Sequence, residues 1–221
     1  MELLAGALLE RPPGPKYMAE LRFAELAPQA PLPKPGTMAR WRQRLPDGFE
    51  LALRAPEACW TSKEGPLRES AELAAGLSWL TEAADALEAS MIVVCPSADV
   101  TTGARDRERL REYFARVGRA EGRLVVWKPT GLWEPEAVQS VARTLSVVGG
   151  IDAIDDPVPN TDVVYASLLA EGLRRSFSHA QLLDVLDKLR SSRASRAFVT
   201  VESGQSFREA RLLQALSEGR E

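Results

Sequence analysis

The stretch Pro31-Leu-Pro-Lys-Pro-Gly-Thr-Met-Ala-Arg-Trp-Arg-Gln-Arg-Leu-Pro-Asp-Gly-Phe-Glu-Leu-Ala-Leu-Arg-Ala-Pro56 reads as a turn, a helix, a tight turn and a strand. Pro33 and Pro35 block regular structure ahead of the helix, and Pro35 or Gly36 opens it, because a proline in the first helical turn forfeits no hydrogen bond. Met38, Trp41 and Leu45 fall at helical spacing. Leu45-Pro-Asp-Gly48 is turn chemistry. Phe49, Leu51 and Leu53 then alternate as a strand that delivers Arg54 to its far end.

That αβ step repeats along the chain. Upstream, residues 2–8 read as a first strand closed by the proline-dense Arg11–Pro15, followed by a short helical turn near Tyr17 and a strand near 22–26. Downstream, Met91–Val94 and Leu124–Trp127 are continuous apolar runs, as expected of parallel strands buried on both sides. Helices are expected at about 69–87, 104–118, 135–145 and 206–216, with another capped by Ser178. Gly149-Gly150 is read as the stop of the 135–145 helix. Short strands are expected at 151–154, 163–168 and 197–201. About eight strands alternating with helices imply right-handed crossovers and a parallel sheet, hence an α/β (β/α)8 TIM barrel, incomplete or irregular at its first βα units. An open doubly wound sheet is the alternative, weakened because no glycine-rich phosphate loop follows any strand.

Composition narrows the function. The 221 residues suffice for a single barrel domain over 1–221, and 45% hydrophobic with 27% charged residues is ordinary for a folded protein. A net charge of -3 supplies no global field for nucleic acid. No apolar run is long enough to span a bilayer, and the Met1–Glu10 segment lacks the basic start of a leader, so a cytoplasmic protein is expected. Cys59 and Cys95 read as two reduced thiols. With His179 the sole histidine, no zinc-type ligand set can be assembled, and neither a metal nor a cofactor is expected.

The order of motifs resembles the YecE-like family, TIM barrels grouped as a domain of unknown function. The resemblance starts at Phe23-Ala-Glu25. It is clearest over Leu32-Pro-Lys-Pro35, Arg40-Trp-Arg42, Pro46-Asp-Gly-Phe49 and Leu53-Arg-Ala-Pro56. It continues through Val94-Cys-Pro-Ser97, Trp127-Lys-Pro129, Asp155-Asp-Pro157, Asp162-Val-Val-Tyr165 and Phe198. The chain departs from the pattern where the family carries polar residues. Pro28-Gln-Ala-Pro31 stands for an Asn-Ser-Thr-Phe-Tyr-like segment and Arg54 for a lysine. A histidine after Pro56 is missing. Val126-Trp-Lys-Pro129, Ser167-Leu-Leu169 and Glu202-Ser203 replace further polar groups. The resemblance therefore implies a divergent, shortened barrel that has lost most of the family's polar cup.

In a TIM barrel the working residues sit at the C-terminal ends of strands. Those positions offer Arg54, Ser97, Trp127, Lys128 and Asp156 as ligand-binding candidates for an anionic small molecule, and Asp155 and Glu202 as candidate bases. The competing reading is that these charges neutralise one another as a polar lid over the core. A cation held by Asp152, Asp155 and Asp156 is disfavoured, because Asp155-Asp-Pro is also good turn chemistry. His179, beside the Ser178 cap, is expected on the outer surface, away from any serine. Arg105, Arg107, Arg109, Arg111, Arg116, Arg119 and Arg123 are interleaved with acids, the pattern of a solvated helix face, and Arg174-Arg175, Arg190, Arg193 and Arg196 add a second cluster. The leading functional expectation is a non-catalytic binding or protein-interaction module, a candidate pseudoenzyme. The alternatives are a hydrolase or phosphate-ester enzyme and, third, a nucleic-acid binder using the arginine-rich helices.

Overall fold

The computed structural model describes residues 1–118, 120–170 and 175–220. The strand segments of the large sheet are β1 (Glu2–Leu9), β2 (Phe23–Leu26), β3 (Glu50–Arg54), β4 (Met91–Val94), β5 (Leu124–Trp127), β6 (Val148–Gly149), β7 (Ile151–Asp152), β8 (Val163–Leu169) and β9 (Arg196–Glu202); a separate antiparallel pair joins Thr61–Ser62 to Gly65–Pro66. The helices are α1 (Pro15–Met18), α2 (Pro35–Arg42), α3 (Ala71–Ala86), α4 (Ala104–Arg116), α5 (Pro135–Leu145), α6 (His179–Arg190) and α7 (Ser206–Ser217). All strand pairings in the large sheet are parallel, in the order β6-β5-β4-β3-β2-β1-β9-β8-β7. Its two outermost segments are consecutive in the chain, parted only by Gly150. The sheet therefore closes into a TIM barrel in which β6 and β7 share one position.

Local chemistry sets the boundaries. Ser70 accepts a hydrogen bond from the Leu73 N–H at 3.0 Å and starts α3. Ser178 and Gln181 form a capping box at the start of α6, and His179 is exposed in its first turn. Pro35 and Pro135 open α2 and α5. The stop of α5 is not Gly149-Gly150. Ser146, in the left-handed region at φ 55°, ends the helix, and Val148–Gly149 already pairs with β5. The strand expected at 151–154 is thus shorter there and extends upstream as β6. Space at Gly150 is tight: a Cβ would come within 3.1 Å of Lys128 Cβ and 3.3 Å of Tyr165 Cδ1, so a larger residue would have to push these neighbours aside.

The barrel is irregular where the first βα unit is shortest. Helix α1 is one turn, and β1 pairs with β2 only at Leu8–Glu25 and Leu9–Leu26. Below that point one side chain bridges the seam and another satisfies the free edge of β1. The Tyr17 hydroxyl accepts from Ala7 N–H and donates to the Phe23 carbonyl, each at 2.8 Å. Gln214 of α7 accepts from Ala5 N–H at 3.0 Å and donates to the Leu3 carbonyl at 3.2 Å. Buried backbone groups need partners, and here two side chains supply what the ladder does not. A second irregularity follows β7, where residues 153–162 pass to β8 without a helix.

Period-two alternation divides the core. Leu4, Phe23, Ala52, Met91, Val93, Val126, Tyr165 and Phe198 fill the barrel, while the neighbouring strand residues pack outward against the helices. No helix among the described residues is long and apolar enough to cross a membrane.

Candidate functional site

The same alternation carries polar residues to the C-terminal mouth. Two residues beyond Phe23 stands Glu25, and beyond Ala52 stands Arg54. Cys95 follows Val93, Lys128 follows Val126, and Thr200 and Glu202 follow Phe198. Each shares the inward face of its strand with the barrel-filling residue before it.

Arg54 is the hub. Its Nε donates to Glu25 Oε1 at 2.6 Å, while its two terminal nitrogens donate to Glu202 at 2.9 and 2.6 Å. Glu25 Oε2 also accepts from the Tyr165 hydroxyl at 2.5 Å and the Thr200 hydroxyl at 2.7 Å. Lys128 Nζ lies 3.5 Å from Glu202 Oε1. The side chains of Glu25, Glu202, Lys128 and Arg54 are 0%, 11%, 16% and 18% exposed. Two cations thus face two carboxylates with little water between them. Bidentate, charge-assisted hydrogen bonds of this kind are the strong ones.

This arrangement sets the protonation states. Burial opposes the charge on Arg54, but Glu25 and then Glu202 more than offset it and hold the guanidinium charged. Burial alone would raise the Glu202 carboxyl; the Arg54 hydrogen bond and the Lys128 charge outweigh it and hold the group below the usual carboxylate range. Burial pushes the Cys95 thiol up to about 11, with Arg54 and Lys128 offsetting only part of the rise. Burial, reinforced by the Glu25 charge, keeps the Tyr165 phenol protonated and able to donate. Near neutral pH, Glu202 is a weak base, Cys95 a thiol and Tyr165 a phenol.

Beside the cluster lies a cleft of about 620 Å³. Arg54 and Cys95 form its inner edge, and Pro28, Leu32, Pro56 and Trp60 contribute to its walls. These come from the β2–α2 and β3–α3 connections, where prolines fix the backbone.

The structure brings Arg54, Lys128 and Glu202 together as the sequence reading expects. It separates the others. Trp127 is fully buried on the outer side of β5, with its ring 4.8 Å from that of Trp133, because adjacent strand residues point to opposite faces and Lys128 takes the inner one. Ser97 donates to Asp99 at 3.1 Å in the β4–α4 loop. Asp156 accepts from the Asp152 N–H at 2.8 Å as part of a turn, and Asp155 is exposed beside it. Both aspartates line a groove against Asp184, Asp187 and Lys188 of α6, in the outer layer. Asp152 Oδ1 itself accepts from the N–H groups of Ile154 and Asp155. Among the described residues, no group of three or more His, Cys, Asp or Glu side chains is placed to hold a metal ion.

Sequence reasoning missed Glu25, Tyr165 and Thr200. Glu25 was legible, since it alternates with Phe23 on a strand of mostly apolar residues. Tyr165 sits in an apolar run and gave no polar signal.

The arginines of α4 are largely engaged. Arg109 pairs with Asp106 at 2.8 Å, Arg111 with Glu108, Arg116 with Glu69 at 3.7 Å, and Arg107 lies over the Trp133 ring at 5.7 Å. Arg123 pairs with Asp85 at 2.8 Å. Of the second cluster, Arg190 donates to carbonyls at the end of α7, and Arg196 sits at the opposite end of the barrel. Arg119 and Arg174 lie outside the described residues.

No family model matches the chain, and no curated protein matches it. Solved structures share its fold. A DUF72 family protein from Enterococcus faecalis aligns at a TM-score of 0.70 and 14% identity, covering 99% of this chain and 96% of that one. Endonuclease IV from Thermus thermophilus aligns at 0.59 and 14%, covering 99% and 100%. A D-tagatose 3-epimerase-like protein aligns at 0.59 and 12%, covering 99% and 96%. At these identities the likeness is one of fold.

Proposed function

We propose that this chain is a divergent YecE-like barrel, one domain over residues 1–221 and cytoplasmic, whose C-terminal mouth binds a ligand or protein partner without transforming it. One observation carries the reading. The strand-end charges engage one another: Arg54 gives three donors to Glu25 and Glu202, the Glu202 carboxyl is held below the usual carboxylate range and the Cys95 thiol is pushed up to about 11, so neither of these two is tuned as a base or nucleophile at neutral pH. The fold likeness to the DUF72 protein supports the kinship. The walls of the cleft are mainly apolar, and the cluster behind them is charge-balanced, so the occupant's mouth-facing part is apolar rather than anionic.

The test pairs a turnover screen with a binding screen. Hydrolase and phosphatase substrates are expected to give no rate with the wild type. A neutral apolar compound that raises the melting temperature is expected to lose that effect in Trp60→Ala. A rate that disappears in Glu202→Gln while the circular dichroism spectrum is kept overturns the proposal. It would favour an enzyme acting on an anionic small molecule, for which Lys128, with a single 3.5 Å contact, is the best anchor.

A further inference from the structure

A second cleft, of about 700 Å³, lies outside the barrel mouth. The four-residue α1 is too short to cover the flank of α2. The gap is bounded by the β1–α1 loop, the β2–α2 loop and α2 itself, and it shares Pro28, Gln29 and Ala30 with the mouth cleft as a common wall. Its charged lining is Glu10, Arg11 and Arg44, one carboxylate against two guanidiniums. Both arginines are exposed, and neither has an ion-pair partner among the described residues. Trp41 stands between them in sequence and also lines the cleft, half-buried with part of its ring packed on the core. Thr37 and Gln29 add polar groups, although the Thr37 hydroxyl already accepts from Arg40 at 3.1 Å.

The contrast with the mouth defines the chemistry. There Arg54 is neutralised by fixed carboxylates; here the cationic excess is unmatched. Guanidinium forks suit planar or tetrahedral oxyanions, and an indole face suits a ring or another flat apolar body. A cavity of this size is in the range of small-molecule sites. We propose that this cleft binds a small aryl oxyanion, a phosphate or a carboxylate, with the oxyanion on Arg11 and Arg44 and the ring against Trp41.

The experiment follows the indole N–H signals of ¹⁵N-labelled protein, with Trp41→Phe assigning the Trp41 signal. Three probes share one ring: phenyl phosphate, benzoate and neutral benzamide. Saturable movement of the Trp41 signal with phenyl phosphate or benzoate, and none with benzamide at the same concentration, supports the site. The tighter of the two anions identifies the phosphate or the carboxylate as the group selected. Arg11→Ala with Arg44→Ala is expected to weaken that binding about tenfold or more, the effect of losing about 1.4 kcal/mol of charge-assisted contact. Both residues are exposed, and the remaining indole signals report whether the fold is kept. Equal movement with benzamide, no movement with any probe, or unchanged binding in the double variant overturns the proposal.

Discussion

The two ends of this barrel carry the same device, an arginine between two glutamates, and differ in how it is housed. At the C-terminal end Arg54 sits between Glu25 and Glu202, with every contact at hydrogen-bonding distance and two hydroxyls completing Glu25. At the N-terminal end Arg196 sits between Glu50 and Glu2, its guanidinium stacked 4.7 Å over the Phe198 ring. There Arg196 and Glu50 are 32% and 22% exposed, and Glu50 Oε2 and Arg196 Nε have no aligned hydrogen-bond partner, although Glu2 Oε2 lies 3.0 Å from that nitrogen. The pairing is the same in kind, but the C-terminal side chains are the less exposed and every one of their charged contacts is hydrogen-bonded, whereas the N-terminal pair is more exposed and leaves two atoms without a hydrogen bond. In a TIM barrel the N-terminal end serves stability and the C-terminal end serves the site. Here the C-terminal cluster is the more tightly determined of the two.

The comparison can be broken by experiment. The largest effect is expected from Arg54→Ala, which strands two buried carboxylates and should cost about 3–5 kcal/mol in denaturant unfolding. A loss no greater than that of Arg196→Ala would show that burial does not separate the two ends. Removing the Tyr17 hydroxyl with Tyr17→Phe leaves the Ala7 N–H and the Phe23 carbonyl unpaired at the seam between β1 and β2, for an expected loss of about 1–3 kcal/mol. Arg196→Ala itself should cost about 1 kcal/mol or less, because its charges are partly solvated.

A pH series sharpens the same contrast. Folding depresses the Glu202 carboxyl, so its contribution is fully present above the unfolded value of about 4.3 and is lost as pH falls through the lower folded value. The stability gap between wild type and Glu202→Gln should therefore be constant at neutral pH and shrink only on the acid side of that value. A gap that instead opened as pH fell would reverse the assigned sign. The smallest effect concerns rate rather than stability. With the Cys95 and Cys59 thiols pushed up to about 11 and about 12, labelling by a disulfide reagent at pH 8 should run about two orders of magnitude slower than for free cysteine at Cys95 and about three at Cys59. Rapid labelling of Cys95 would show that the Arg54 and Lys128 charges outweigh burial and hold its thiol low.

Much of the fold was legible because its signals are local. Apolar runs such as Met91–Val94, the capping residue Ser178, and prolines such as Pro35 and Pro135 act within a few positions of themselves. The errors fell where distant partners intervened. Gly149-Gly150 resembles a helix stop, yet Gly149 pairs with Trp127 of β5. The short turn near Tyr17 and the helix-free passage over 153–162 were legible; what the sequence did not show is that Tyr17 and Gln214 supply the backbone partners the first strands lack. The candidate site was half legible. Alternation places Lys128 inward and for the same reason turns Trp127 outward, so naming both as ligand contacts ignored a period of two. Asp155 and Asp156 occupy a strand-end position in sequence, but their hydrogen bonds make a turn in the outer layer.

The sequence by itself determined that strands and helices alternate, which strand residues share a face, and that an arginine, a lysine and a glutamate stand at strand ends. Only the tertiary structure decided that Glu25, Arg54, Lys128 and Glu202 meet, and that their charges cancel. Periodicity fixes the side of a strand, whereas contact across a barrel depends on which strands become neighbours and on how far each is staggered when the sheet closes. That closure leaves the Arg54 charge matched within the mouth and leaves Arg11 and Arg44, on loops outside it, facing solvent.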